Sequence, residues 1–292
     1  MKLQPCAFPV VGFKMGDTVT GGNPMNEALV TLDGVSKTYS SRGDAVQALA
    51  PLSFEIQRGE FLSVVGPSGC GKSTMLQLLS GLMAPSEGTI VIDGDQIVAP
   101  YHNVGIAFQQ PVLLEWRTAL DNVLLQFEMR GEKKRDHVDA AMTQLASVGL
   151  EGFEHKYPRE LSGGMRQRVS LARALVHEPP ILIMDEPFSA VDALTRDQLV
   201  VDLQDVWMRR GDDLTVLFIT HHIEEAVFLS DRVLVMTPRP GRIAEMMDID
   251  LPRPRQLLQI GSPAFAEYNS RIRQVFVDHG VFRDLTTDGD SR

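Results

Sequence analysis

Gly66-Pro67-Ser68-Gly69-Cys70-Gly71-Lys72-Ser73-Thr74 follows the apolar run 61–65 and opens the stretch 73–82, where Met75, Leu76, Leu78, Leu79 and Leu82 recur at helical spacing. It meets the pattern G-x-x-x-x-G-K-[ST] in the strand, loop, helix context that the pattern requires. A phosphate needs backbone N–H groups pointing inward, and Gly66, Gly69 and Gly71 permit this by tolerating unusual φ/ψ and close approach. The helix start adds partial positive charge. Lys72 is then placed to reach the β- and γ-phosphates of a nucleotide and the Ser73 hydroxyl to ligate Mg²⁺. Pro67, Ser68, Cys70 and Thr74 complete the nucleotide-contacting loop, with Cys70 as a small loop residue and no redox centre. The expected fold is α/β, a mostly parallel sheet flanked by helices.

Outward from the loop, Ile181-Leu182-Ile183-Met184-Asp185-Glu186-Pro187 is an apolar strand that delivers two carboxylates at its carboxyl end. Ligands of open α/β sheets bind at that edge, so the two strand ends meet at one nucleotide. Asp185 would hold Mg²⁺ through water, and Glu186 would orient or deprotonate the attacking water. The apolar run 214–220 ends at His221, which can hydrogen-bond the γ-phosphate and that water. His222 stays ambiguous. Leu161-Ser162-Gly163-Gly164-Met165-Arg166-Gln167-Arg168 opens another apolar-periodic helix, a second helix start with the chemistry of a phosphate site.

The rest of the chain frames these motifs. Residues 1–26 carry several Gly and Pro without periodicity and read as a loose extension, in which Met25 is a candidate true start. Short β-rich runs at 29–32, 52–56, 61–65 and 89–92 are punctuated by glycine. Between 118 and 149 the period becomes helical, with Leu120, Val123, Leu124 and Phe127 and then Ala141, Leu145 and Val148. This predicts a helical insert between strands of one sheet, since 181–184 and 214–219 are the apolar runs of strands buried on both faces. Pro252 and Pro254 mark a stiff link, Ser262 and Pro263 cap a helix ending near Gly280, and 284–292 look frayed.

The chain has 292 residues and net charge −10, which argues against coating nucleic acid or anionic lipid through bulk charge. Cys6 and Cys70 are far apart and one lies in the loop, so a reducing, cytosolic setting is expected. No run approaches the length of a membrane span, and Pro5 and Pro9 interrupt the only signal-like stretch.

In order and spacing these motifs resemble the ATP-binding cassette (ABC) ATPases over about residues 28–250. The resemblance implies a P-loop NTPase core with an N-terminal antiparallel β subdomain and an α-helical insert. In this division 1–26 are an extension, 27–250 the ATPase domain with its insert at about 112–176, and 251–292 a linker, helix and tail. It implies ATP and Mg²⁺ as cofactors, and a dimer in which each ATP lies between one subunit's Lys72 loop and the other's Ser162-Gly163-Gly164. Tyr39 looks like the aromatic platform for adenine, and Gln109 like the glutamine that touches Mg²⁺ and links core to insert. Ser189-Ala190-Val191-Asp192 resembles the loop at the dimer interface, with Val191 where leucine is commoner.

A finer resemblance, to importer ATPases for nitrate, aliphatic sulfonates and taurine, rests on three stretches. They are Leu113-Leu114-Glu115-Trp116-Arg117-Thr118 with Asp121-Asn122-Val123, Thr237-Pro238-Arg239-Pro240-Gly241-Arg242, and Leu251-Pro252-Arg253-Pro254-Arg255. Glu115 stands where that group often has proline, and His222 where aspartate often follows the histidine. Trp116 either fills the insert's core or helps form a groove for a permease helix. Arg239 and Arg242 read as a solvated turn. The resemblance implies transmembrane permease subunits on other chains, indirectly a solute-binding protein, no nucleic acid, and a peripheral place on the cytoplasmic face of the bacterial inner membrane. Its alternatives are an exporter ATPase, or a soluble module for nucleic-acid or ribosome remodelling, which usually carries two cassettes or a coiled-coil arm.

Overall fold

The computed structural model describes residues 28–41 and 44–282. The expected extension over 1–26, Met25 and Cys6, and the fraying expected over 284–292 lie outside the described residues. In chain order the first half runs β1 (Ala28–Ser41), β2 (Asp44–Gln57), β3 (Phe61–Val65), α1 (Lys72–Leu79), β4 (Glu87–Ile92), β5 (Asp95–Gln96), β6 (Val104–Ala107), α2 (Ala119–Met129) and α3 (Val138–Ser147). The second half runs α4 (Gly163–Leu175), β7 (Ile181–Asp185), α5 (Ala193–Arg210), β8 (Thr215–Thr220), α6 (Ile223–Leu229), β9 (Arg232–Met236), β10 (Ile243–Asp248) and α7 (Pro263–Asp278).

The central sheet has the order β10-β9-β3-β8-β7-β6 and is parallel except for β10. Its inner strands are mostly apolar and buried because each face has its own core. Alternate residues point to opposite faces. Phe61 and Val65 of β3, with Val216 and Phe218 of β8, join a cluster with Trp207, Phe228 and Phe265 from the helices. Leu62 and Val64, with Leu217 and Ile219, join α1 and the second sheet. That second sheet, β2-β1-β4-β5, is antiparallel.

Helices α2, α3 and α4 fill the chain between β6 and β7, which lie side by side. Asn122 shows why the 113–118 turn needs its residues. It is fully buried, donates to the carbonyls of Leu114, Arg117 and Thr118, and accepts from the Leu114 N–H at 2.8 Å. Thr118 caps α2 by accepting from the Asp121 N–H at 3.1 Å. Trp116 is 74% exposed, which overturns the reading that it fills the insert's core. Leu82 is exposed as well, not on the apolar side of α1 as its spacing suggests. The helix ends at Leu79 and the chain turns at Gly81, whose φ of +70° places it against the Ala99 carbonyl.

Beyond β10 the chain stays anchored. Arg255 is buried and donates to the carbonyls of Val227, Phe228 and Ser230, which close the end of α6. Ser262 caps α7 through the Phe265 N–H at 3.3 Å, with Pro263 in the first turn. Among the described residues no helix is long and apolar enough to cross a membrane.

Candidate active site

The phosphate loop turns from β3 into α1, and its glycines are needed for different reasons. Gly69 and Gly71 have φ of +78° and +100°, which favour glycine outright. Gly66 has no room: a Cβ there would lie 2.7 Å from Cys70 Sγ. The Cys70 thiol is buried beneath the loop, and that burial pushes its pKa up, so it packs and stays protonated. Lys72 is buried, and its Nζ donates to the Gly66 carbonyl at 2.8 Å and the Pro67 carbonyl at 3.1 Å. Ser68 and Gly69 are exposed at the loop's crest.

The carboxyl ends of β7 and β8 meet this loop. Ser73 Oγ donates to Asp185 Oδ2 at 2.8 Å. Burial and the neighbouring Glu186 raise the Asp185 pKa, opposed by the Ser73 hydrogen bond and by Lys72. A hydroxyl and a carboxylate side by side are hard oxygen donors, the set with which Mg²⁺ is held alongside substrate phosphates. The residues present therefore fit that ion. Glu186 bridges the site: Oε1 is 3.7 Å from Lys72 Nζ and Oε2 is 3.0 Å from His221 Nδ1. Its backbone has φ +46°, while its N–H still donates to Ile219 of β8 at 2.8 Å. The ladder thus ends in a left-handed residue that turns the carboxylate back over the loop. His222 lies beside His221 with ring centres 4.2 Å apart and planes tilted by 38°, and burial lowers its pKa, helped by Arg196 and His221.

The remaining predicted residues lie around this centre. Gln109 is exposed and donates from Nε2 to Ser189 Oγ at 3.1 Å, and Ser189 donates to the Glu186 carbonyl at 3.0 Å, so Gln109 reaches the turn that carries Glu186. Its own backbone is held by α4, because Gln167 donates to the Gln109 carbonyl at 2.9 Å. Tyr39 is 39% exposed, with its hydroxyl 3.2 Å from Thr74 Oγ1, so the ring stands beside the loop. Ser162 caps α4 by accepting from the Met165 N–H at 3.2 Å. This glycine turn packs on the 189–192 loop and its continuation: a Cβ on Gly164 would lie 2.5 Å from Thr195 Cγ2, while among the described residues one on Gly163 meets only Val191, at 3.9 Å.

A model of the ABC transporter family matches residues 49–189. The aliphatic sulfonates import ATP-binding protein of Bacillus cereus is 39% identical over 254 residues, which cover 87% of this chain and 98% of that protein. This chain belongs to the ABC transporter ATP-binding family. The taurine import ATP-binding protein of Rhizobium johnstonii is 42% identical over 255 residues, covering 85% of this chain and 96% of the relative. A solved dimeric ATP-binding cassette, bound to ADP and phosphate in a post-hydrolysis state, is 32% identical and superposes with a TM-score of 0.66. The match covers 76% of this chain and all of that one.

The structure of this cassette gives residues a use that the motifs do not reveal. Gly241 fits its backbone between strand and loop: its N–H donates to the Ala48 carbonyl at 2.9 Å and its carbonyl accepts from the Ala50 N–H at 3.0 Å. A Cβ there would lie 1.9 Å from the Cys70 carbonyl. Arg239, in the same hairpin, is exposed as expected, yet one of its guanidinium nitrogens would be 3.9 Å from a Cβ on Gly69. In the sequence Gly241 looks like any turn glycine between prolines and arginines, and only the tertiary contact shows its use. Arg196 and Glu225, which meet behind the histidines, carry no local signal.

Proposed function

We propose that this cassette hydrolyses ATP to drive import of a small anion of the sulfonate, taurine or nitrate kind through separate permease subunits. The observation that carries the reading is the convergence of Lys72, Glu186 and His221 within 3.7 Å steps at one sheet edge, above the Ser73–Asp185 pair. The solute class comes from the names of the sulfonate and taurine relatives.

In this reading Lys72 and the backbone N–H groups of 68–74 bind the β- and γ-phosphates, and the ring of Tyr39 stacks on adenine. Ser73, Asp185 and Gln109 would hold Mg²⁺, which supplies charge neutralisation on the phosphate oxygens. Glu186 orients water and takes its proton as the water oxygen bonds to the γ-phosphorus, and the bond to the β–γ bridging oxygen breaks. ADP and phosphate are the products. His221, 3.0 Å from Glu186, fixes the carboxylate and hydrogen-bonds the γ-phosphate. Ser162, Gly163 and Gly164 close the site of a second copy, a reading that the dimeric solved cassette supports. Residues 27–250 form the ATPase domain with 112–176 as its insert, and 251–292 are an appended segment. The exposed Trp116 belongs to a groove for a permease helix. A solute-binding protein delivers the anion, the cassette sits peripherally on the cytoplasmic face of the bacterial inner membrane, and no nucleic acid takes part.

The test has two arms. Lys72→Ala abolishes ATP binding, while Glu186→Gln keeps binding and loses about a hundredfold or more in turnover. Uptake measured over a panel of sulfonates, taurine and nitrate falls in a deletion strain and returns with the wild-type gene. Wild-type turnover by Glu186→Gln, or unchanged uptake across the panel, would refute the corresponding half.

A further inference from the structure

Behind the His221 turn lies a cluster to which hydrolysis assigns no part. Thr220, the last residue of β8, donates its hydroxyl to Glu225 Oε2 at 2.6 Å and accepts the His222 backbone N–H at 3.0 Å. Glu225, on α6, therefore grips the turn that carries His221. On its other side Arg196 of α5 stands 3.6 Å from Glu225 Oε1 and donates to the Val191 carbonyl at 3.3 Å. Glu225 is only 7% exposed, and among the described residues neither its Oε1 nor Arg196 Nε has a hydrogen-bond partner. Their contact is ionic, too long for a hydrogen bond. Both residues line a cavity of about 760 Å³ that also reaches His221, His222 and Arg273.

The geometry points to Glu225 as a positioning residue for hydrolysis, which, paired with Arg196, fixes the His221 turn against the 189–192 loop. The inference rests on the reading of His221 and Glu186 as the hydrolytic pair. Its physical basis is that one carboxylate holds both neighbours at once, Thr220 by a hydrogen bond and Arg196 by charge in a poorly solvated place. A neutral Glu225 keeps the first and releases the second. Burial pushes the Glu225 carboxyl up to about 7, with Glu186 and Asp197 also raising it while Thr220 and Arg196 oppose them. The other groups facing the cavity are His221 and His222 from the turn, Glu224 from α6, and Arg273 from α7. Turnover therefore rises as pH climbs through neutrality and Arg196 becomes held.

Glu225→Gln keeps an acceptor for Thr220 and removes the charge. The expected result at pH 8 is a kcat lower by about tenfold with KM for ATP unchanged, as for a misplaced but intact catalytic group. The wild-type rise in kcat between about pH 6 and 8 flattens in the variant. Arg196→Gln shows the same loss and the same flattening, and the double variant is no slower than either single one. Wild-type kcat and pH profile in Glu225→Gln, or losses that add in the double variant, overturn the inference. If Glu225→Gln fails to bind nucleotide, Arg196→Gln decides alone: a wild-type pH profile in that variant overturns it. His221→Ala at full turnover would instead remove the reading beneath it, so the two failures are distinguishable.

Discussion

Replacing Gly241 by alanine tests whether the 237–242 hairpin is part of the nucleotide site. The added methyl would sit 1.9 Å from the Cys70 carbonyl, 2.9 Å from Met236 Cε and 3.0 Å from Leu49 Cδ2. The side chains can rotate away, but the carbonyl belongs to the phosphate loop and cannot yield without moving that loop. Gly241 has no positive φ, so its need is one of space alone. Either the hairpin retreats, breaking the bonds to Ala48 and Ala50, or the loop is pushed towards the phosphates. Two lost backbone hydrogen bonds and an overpacked contact together cost roughly 3–5 kcal/mol. The assay is urea unfolding for stability together with steady-state ATP hydrolysis, and the expected result is a lower midpoint and a KM for ATP raised more than kcat is lowered. Gly261→Ala is the control, since a Cβ there meets nothing within 4 Å among the described residues. A loss below about 1 kcal/mol with unchanged KM, matching the control, would refute the reasoning.

Tyr39→Ala raises KM for ATP with little change in kcat, by the loss of about 1–3 kcal/mol that aromatic–base stacking contributes. Gly163→Asp in a Glu186→Gln background abolishes the ATP-dependent dimer seen by light scattering, because a carboxylate would face the other copy's γ-phosphate. Gly163 suits this test better than Gly164, where Thr195 blocks any side chain. Stability also depends on pH through Glu225, whose folded pKa of about 7 exceeds the ordinary 4.5. The unfolded chain gives up that proton first, so this contribution is whole below pH 4.5 and is lost as pH rises through 7, up to about 3 kcal/mol. Asp185, raised by burial, acts in the same sense, and His177, lowered to about 4 by burial, acts in the opposite one. The measured quantity is therefore the difference in urea midpoint between wild type and Glu225→Gln at pH 5 and pH 8, and an equal slope in both proteins would exclude Glu225.

The phosphate loop was legible because its chemistry is contiguous: backbone, cation and hydroxyl fall within nine residues beside an apolar strand. Asp185, Glu186 and His221 were legible because parallel strands buried on both faces read as continuous apolar runs, and whatever follows such a run lies at the ligand edge. Strand β6 escaped because Val104-Gly105-Ile106-Ala107 is too short for any period and holds a glycine. That glycine is required by α4, since a Cβ there would lie 2.5 Å from the Ala174 carbonyl. Trp116 misled in one of its two readings because helical spacing nearby makes any large apolar residue look like core. Arg196 and Glu225 are far apart in the chain and gain meaning only when α5 and α6 pack.

Glu186 sits in a backbone conformation that glycine adopts freely and glutamate resists, at a cost of roughly 1–2 kcal/mol. Its carboxylate also faces Asp185 across one peptide unit, which raises the latter's pKa. On the proposed role of Glu186 in hydrolysis, thermal robustness and turnover pull this position in opposite directions. A library sorted by heat survival alone drifts towards glycine or asparagine at 186 and returns hardier proteins that have stopped working, so breeding a tougher cassette requires scoring every survivor for phosphate release.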